Sequence, residues 1–320
     1  MSTSSARPAA SRSALEAIGG TPLVRLERVV PAGSADVLVK LEYFNPTGSY
    51  KDRMALSMIE RAESRGDLRP GMTVVEYTGG STGISLAFVC AVKGYRCRIV
   101  SNDAVAQEKL RSMEIFGAEL EVLKSVGGKL TADLVPRMMD RAREIAAEAP
   151  SYQTDQMRNP DMVAGYESLG EELLRQVEGP IHTFCGSVGT SGMLMGTARV
   201  LRRGTPRPRI VAFEPATSSV LTGGKAGPHG VEGVAPGFVP PQYDPAVVDE
   251  ARGIDEDEGR QMARTLARSE GIFAGTSTGL NVAGALQLAR EIGPGHTVVT
   301  VAVDTGLKYL AGNLYSQPPR

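Results

Sequence analysis

Residues 73–92 read TVVEYTGGSTGISLAFVCAV. The opening TVV passes through Glu76 and Tyr77 into a glycine-rich turn, Thr78 to Gly83. From Ile84 the chain is almost wholly apolar as far as Lys93, and Gly94 is the residue type that commonly closes a helix in a left-handed conformation. The stretch is a strand, a turn and a buried helix in succession. A short apolar strand suits a sheet covered on both faces. A strand feeding directly into a helix suits a parallel βαβ unit.

The same alternation runs along the chain. Strands are expected at 36–40, 72–77, 95–101, 118–123, 181–185, 209–215 and 297–303. Helices are expected over 52–63, 82–93, 104–116, 131–148, 162–176, 190–201, 255–269 and 278–292, with a Gly/Pro-rich loop at 222–242. No fixed-period repeat is visible. The fold class is therefore α/β, with two open, mostly parallel sheets and helices on both faces. At 320 residues the chain exceeds the size at which one core usually stops growing. Ala149-Pro150 separates two groups of βα units, giving expected lobes of 1–150 and 151–320. Ligands of open parallel sheets sit beyond the carboxyl ends of the strands, so the chemistry belongs in the loops after them.

Bulk properties narrow the function. Hydrophobic residues make up 42% and charged residues 22%, which is ample for packed cores. A net charge of −1 offers no basic excess for nucleic acid or an anionic membrane. The basic stretch Arg199 to Arg209 reads as a solvated connection between a helix and a strand. Three cysteines without CxxC spacing point to a reducing compartment, read as cytoplasmic. Three histidines without a partner at ligand spacing argue against a metal site. No apolar run reaches the length of a membrane span, and the first 13 residues read as a disordered tail.

Four loops stand out. In the first, Asn45-Pro46-Thr47-Gly48 is turn chemistry, so Lys51 begins a helix. A helix N-terminus disfavours a cation and helps keep that amine neutral, as Schiff-base chemistry requires. A plain surface lysine beside Asp52 or Arg53 is the competing reading. The second is the opening turn, in which Gly79 to Gly83 has the G-x-S-x-G form of a nucleophile elbow. The third carries Gly186, Gly189 and Gly192 before a helix. It lacks the lysine of a P-loop and the G-x-G-x-x-G spacing, which leaves a nest of N–H groups suited to one phosphate. The fourth, Gly275 to Gly279, repeats G-x-S-x-G. Two elbows and no histidine in a suitable place weigh against a serine hydrolase using Ser81 or Ser277.

Eight segments carry a wider likeness: IGGTPLVRL (18–26), NPTGSYKDR (45–53), EYTGGSTGISLA (76–87), DQMRNPDM (155–162), GSVGTSGMLMG (186–196), VEGVAPGFVP (231–240), GTSTG (275–279) and VDTGLKYL (303–310). Together and in this order they resemble the fold-type-II pyridoxal-phosphate enzymes, of tryptophan synthase β-like fold. The branch is the cysteine synthase (O-acetylserine sulfhydrylase) and cystathionine β-synthase family. The resemblance implies that Lys51 forms the Schiff base with the cofactor and acts as general base. It implies that Gly189, Thr190, Ser191, Gly192 and Met193 hold the cofactor phosphate, and that Ser277 meets the pyridine nitrogen. It places Thr78, Gly79, Gly80, Ser81 and Thr82 with Gln156 around the substrate carboxylate, with Ser81 also at the cofactor ring.

The activity implied is β-replacement on an activated L-serine derivative through an aminoacrylate, with sulfide as nucleophile and L-cysteine as product. A β-eliminating serine or threonine dehydratase is the alternative. A homodimer, a serine acetyltransferase partner and a mobile part around 82–130 are implied as well. The chain departs from the family pattern at four positions. Ser81 stands where an asparagine is usual, Gly79 where a serine is usual and Tyr50 where a small apolar residue is usual, and these three bear on the amino-acid substrate and the nucleophile. Met193 replaces a frequent threonine in the phosphate loop and keeps only its backbone N–H for that contact.

Overall fold

The computed structural model describes residues 10–125 and 133–316. In chain order its elements begin with β1 (Leu23–Arg25), β2 (Asp36–Leu41), α1 (Lys51–Arg65), β3 (Thr73–Tyr77) and α2 (Ser81–Lys93). Next come β4 (Arg96–Asn102), α3 (Gln107–Ile115), β5 (Glu119–Leu123), α4 (Leu134–Glu148) and β6 (Ser151–Gln153). They are followed by α5 (Pro160–Gly165), α6 (Glu167–Gln176), β7 (Thr183–Ser187), α7 (Gly192–Leu201) and β8 (Arg209–Pro215). The last are β9 (Glu250–Ile254), α8 (Glu256–Ser269), α9 (Thr276–Ile292) and β10 (Thr297–Ala302).

The strands form two sheets. One has the order β1-β2-β10-β7-β8-β9 and the other β5-β4-β3-β6. β1 pairs antiparallel with β2, and the other pairings are parallel. Side-chain alternation sends successive residues to opposite covered faces. On β10, Val299 and Val301 enter the core shared with α1, α2, α5, α6 and α7, while Val298 and Ala302 enter the one beneath α9. In the smaller sheet, Val74, Cys97 and Ile99 join the first of these cores, and Val75, Tyr77 and Val100 pack under α4. This is the expected α/β fold with helices on both faces of each sheet. No described helix is long and apolar enough to cross a membrane.

Local signals set the helix ends. Gly66 and Gly94 close α1 and α2 at φ 77° and 79°, left-handed values that glycine adopts without a Cβ clash. The Asn159 side chain accepts from the Asp161 N–H ahead of α5, with Pro160 in its first turn. The Asp255 side chain caps α8 by accepting from the Glu258 N–H.

Four expectations are corrected. The helix expected over 162–176 is two helices that meet at Tyr166. α1 presses on the junction: a Cβ on Gly165 would lie 2.7 Å from the Arg53 carbonyl oxygen. The helix expected over 104–116 begins only at Gln107. β1, β6 and β9 were not expected at all. The sheets also do not part at 149–150, because β1 and β2 belong to the larger sheet and β6 to the smaller. The start of the helix expected at 131 lies outside the described residues.

Candidate active site

The four loops converge at the carboxyl ends of the strands. Tyr50 N–H donates to the Val303 carbonyl (3.1 Å), and Thr305 N–H to Gly48 (3.0 Å). Gly275 N–H donates to the Asp304 carbonyl (3.1 Å), and Val303 N–H to the Thr278 hydroxyl (2.9 Å). The lysine turn is thus stapled to the end of β10, and β10 to the start of α9. Thr47 anchors the turn further, giving its N–H (2.8 Å) and hydroxyl (2.5 Å) to the Asp52 carboxylate.

Lys51 opens α1 and is 7% exposed. Its amine makes no hydrogen bond and no ion pair among the described residues, and lies over the Tyr50 ring. Burial lowers its pKa to about 8, and the charges of Glu76 and Asp304 oppose that shift without cancelling it. A lysine in this state supplies neutral amine near neutral pH, as a nucleophile or base must.

Thr78 to Thr82 and Gln156 do meet. The Thr82 hydroxyl donates to Gln156 Oε1 (2.7 Å), and Gln156 Nε2 donates to the Tyr77 carbonyl (3.2 Å). Below them lies Glu76, which sequence reasoning missed although it is the one charge in β3. It is fully buried and accepts from the Thr154 hydroxyl (2.7 Å), Gln156 N–H (3.0 Å) and Tyr77 N–H (2.9 Å). Burial raises its pKa to about 7 against those three donors. Ser81 begins α2, and its hydroxyl accepts from Lys308 Nζ at 3.2 Å. Lys308 was also missed. With Thr276, Tyr309 and Glu232 it lines an open cleft of about 380 Å³. Lys109 of α3 pairs with Glu232 and lies over the Tyr309 ring.

The glycine loop after β7 is a close-fitted cradle. A Cβ on Gly189 would lie 2.2 Å from the Gly233 carbonyl, and one on Gly192 1.8 Å from Met162 Sδ. Ser191 holds φ 68°, a left-handed value that costs a non-glycine residue on the order of 1 kcal/mol. The first N–H groups of α7, which have no partner within the helix, open from this loop. Met193 sends its side chain inward, since a Cβ on Gly186 would meet its Cε at 2.6 Å. Met193 can therefore contribute its backbone N–H to the cradle. Loop 222–242 leans on the same cradle through Ala235 N–H to the Val188 carbonyl (2.9 Å).

Among the described residues, Ser277 Oγ, Ser187 Oγ and Asp304 Oδ1 in this region are buried without a hydrogen-bond partner. A buried hydroxyl without a partner is costly, and an acceptor or donor from a ligand would satisfy it. No histidine lies at either elbow serine. His182 and His296 meet edge-on at the opposite ends of their strands, and His229 contacts the Ala235 carbonyl. The nucleophile–base pair of a serine hydrolase is absent among the described residues, so that reading is set aside.

Comparison with known proteins agrees with this geometry. The pyridoxal-phosphate dependent enzyme family matches residues 14–304. This chain belongs to that family. It is 42% identical over 301 residues to a cysteine synthase of Staphylococcus aureus, covering 93% of this chain and 95% of that one. The solved structure of an O-ureido-L-serine synthase superposes with a TM-score of 0.91 at 36% identity, covering 97% and 96% of the two chains. A cysteine synthase of Entamoeba histolytica gives a TM-score of 0.91 at 34% identity, covering 100% and 95%. The donor set suits pyridoxal phosphate. Lys51 offers an unpaired amine, the 189–192 loop offers backbone donors where no Cβ would fit, and Ser277 offers a buried hydroxyl without a partner.

Proposed function

We propose that this pyridoxal-phosphate enzyme replaces the β-substituent of an activated L-serine derivative such as O-acetylserine, with sulfide as nucleophile, and so makes L-cysteine. One observation carries the reading: the turn that ends at the buried Lys51, whose amine is unpaired among the described residues, is stapled through the end of β10 to the start of α9, which carries the unpartnered Ser277 hydroxyl.

The bound cofactor supplies the electron sink for the Cα carbanion. Lys51 Nζ takes the Cα proton while its amine is neutral and returns it to the product. The Cβ–O bond breaks with loss of acetate, and sulfide forms the new Cβ–S bond. Thr78 to Thr82 and the Gln156 amide orient the substrate carboxylate. The N–H groups of Gly189 to Met193 would hold the cofactor phosphate, and Ser277 Oγ would serve the ring nitrogen. A hydroxyl in that position does not enforce a protonated ring, which favours departure of a β-substituent over longer-lived carbanion chemistry. Closure of the part around 82–130, of which 126–130 lie outside the described residues, would exclude water, which otherwise diverts turnover to pyruvate and ammonia.

A homodimer, a serine acetyltransferase partner and a cytoplasmic location complete the proposal. The last is supported by three buried free cysteines, Cys90, Cys97 and Cys185.

The test has two parts. Purified protein supplemented with cofactor should show a visible absorbance band that Lys51→Ala abolishes. Steady-state assays should pair O-acetylserine with sulfide, beside O-phosphoserine and homocysteine, and cysteine should form from the first pair. No β-substituted alanine from any pairing overturns the proposal. Pyruvate as the main product with sulfide present would move it to a β-eliminating lyase.

A further inference from the structure

Tyr50 immediately precedes Lys51 at the start of α1. Its backbone N–H is fixed to the Val303 carbonyl, and the residue is 4% exposed. Its ring makes two contacts. Lys51 Nζ lies over it, 5.0 Å from the centroid. On the ring of Tyr166 it packs edge-on, with centroids 5.4 Å apart and planes at 61°.

Tyr166 is itself fully buried, and it is where α5 gives way to α6. It abuts the glycine loop: a Cβ on Gly192 would lie 3.2 Å from Tyr166 Cε2, and one on Gly196 2.9 Å from Tyr166 Cβ. The two rings therefore span the space between the Lys51 amine and the first turn of α7. These are the two places where the cofactor would be attached to the protein.

We propose that Tyr50 is a positioning residue for Lys51: its ring face holds the amine and favours the protonated form, and through Tyr166 it fixes the spacing between that amine and the phosphate cradle. An aromatic face attracts an ammonium and does little for a neutral amine. The charged groups facing Lys51 are Glu76 on β3 and Asp304 after β10, both attracting the ammonium against burial. On its own helix, Asp52 turns to Thr47, and Arg53 turns to Glu42 and Glu172. Tyr50 stays neutral beside them, since burial and the charges of Asp304 and Glu42 push its phenol up. The ring thus adds a fixed attraction that does not titrate in the working range. It helps Lys51 hold the substrate proton alongside Glu76 and Asp304, neither of which pairs directly with the amine.

The inference rests on Lys51 being the base, but its test reads the amine without turnover, so a failure here leaves the proposed reaction standing. Full-length protein stripped of cofactor is labelled with acetic anhydride across a pH series. Acetylation is quantified on the Lys51 peptide by mass spectrometry. Wild type should give a midpoint at about 8. Tyr50→Phe keeps the ring and should match it. Tyr50→Leu should lower the midpoint by roughly half a unit or more. Should Tyr50→Leu not fold, Tyr50→Met, also without a ring, is read the same way. An unchanged or raised midpoint without the ring, or a Phe variant that shifts as far as Leu, overturns the first half. For the second half, Tyr166→Leu should weaken pyridoxal phosphate binding at least tenfold while leaving the Lys51 midpoint in place. Unaltered binding overturns it.

Discussion

Ser81 Oγ meets Lys308 Nζ at 3.2 Å. A serine that accepts from a lysine keeps its own proton free to donate, which an asparagine amide would do from a position farther out on its side chain. Burial lowers the Lys308 pKa, while the charges of Asp304 and Asp52 oppose the shift. The pair therefore presents a hydroxyl backed by a cation on the rim of the cleft. Ser81→Asn retains the Lys308 contact through its amide oxygen but pushes a larger group towards the substrate. The expected outcome is retained cofactor, read as the visible band, with a change of at least about threefold in the ratio of kcat/KM for O-acetylserine over O-phosphoserine, roughly 0.6 kcal/mol of discrimination. Complete loss of the band would contradict the assignment of the 78–82 loop to the substrate carboxylate. The hydroxyl at 81 was visible in the sequence. Its partner, 227 residues away, was not, because only the staple between β10 and the lysine turn brings 308 to 81.

At the scale of elements, β3 and β6 deliver the residues of the proposed carboxylate site, and Glu76 links the ends of the two strands. All three of its contacts are donors to a carboxylate. Glu76→Gln would turn an NH2 group towards one of them and disturb the Gln156 backbone. The expected result is a KM for the amino acid raised about tenfold with little change in cofactor affinity, since about 1.4 kcal/mol is what one such buried hydrogen bond contributes. An unchanged KM would leave Glu76 with a purely structural role. The 189–192 loop gives a sharper case. Gly189→Ala sets a Cβ 2.2 Å from the Gly233 carbonyl, a backbone atom that can yield only if loop 222–242 moves. The variant should lose cofactor affinity at least tenfold and about 1–3 kcal/mol of stability by urea titration. That these glycines must sit close to neighbouring atoms was legible from their spacing before a helix, and the structure leaves no room for a Cβ at Gly189 or Gly192. β1, β6 and β9 were not legible: each is short, part-exposed or polar, and owes its strand form to the neighbour it pairs with. The break at Tyr166 escaped too, because helix periodicity continues through it and only the approach of α1 interrupts it.

Across the whole molecule, the helix that carries Lys51 is fixed by a buried charge network. Arg53 forks onto Glu42 (2.7 and 2.9 Å) and onto Glu172 (2.8 and 2.9 Å), and Lys40 reaches Glu172 at 2.6 Å. The Gly20 N–H also donates to Glu172, and the Thr21 hydroxyl to Glu42. β2, α1, α6 and the 18–26 segment are thereby joined around one guanidinium that is 1% exposed. Such a network adds little over an apolar core of the same shape, but breaking it is costly. Arg53→Met leaves two buried carboxylates facing each other, and should cost on the order of 3–5 kcal/mol in urea unfolding and weaken cofactor binding with it. Glu172 ties this network to the acid response. Burial opposes its ionisation, yet the hydrogen bonds and charge of Arg53, with Lys40 and Gly20, hold its pKa at about 2 against an ordinary 4.5. A depressed carboxyl stabilises the fold fully above its unfolded value, and that stability is lost as pH falls from 4.5 towards 2. For one group shifted this far the loss is roughly 3 kcal/mol. Glu172→Gln removes the titration, so its unfolding free energy should fall less steeply than wild type between pH about 4.5 and about 3. It should also be lower at neutral pH, where the wild-type carboxylate still pairs with Arg53 and Lys40. Parallel acid limbs for the two proteins would place the acid sensitivity in other carboxylates and leave this network as packing alone.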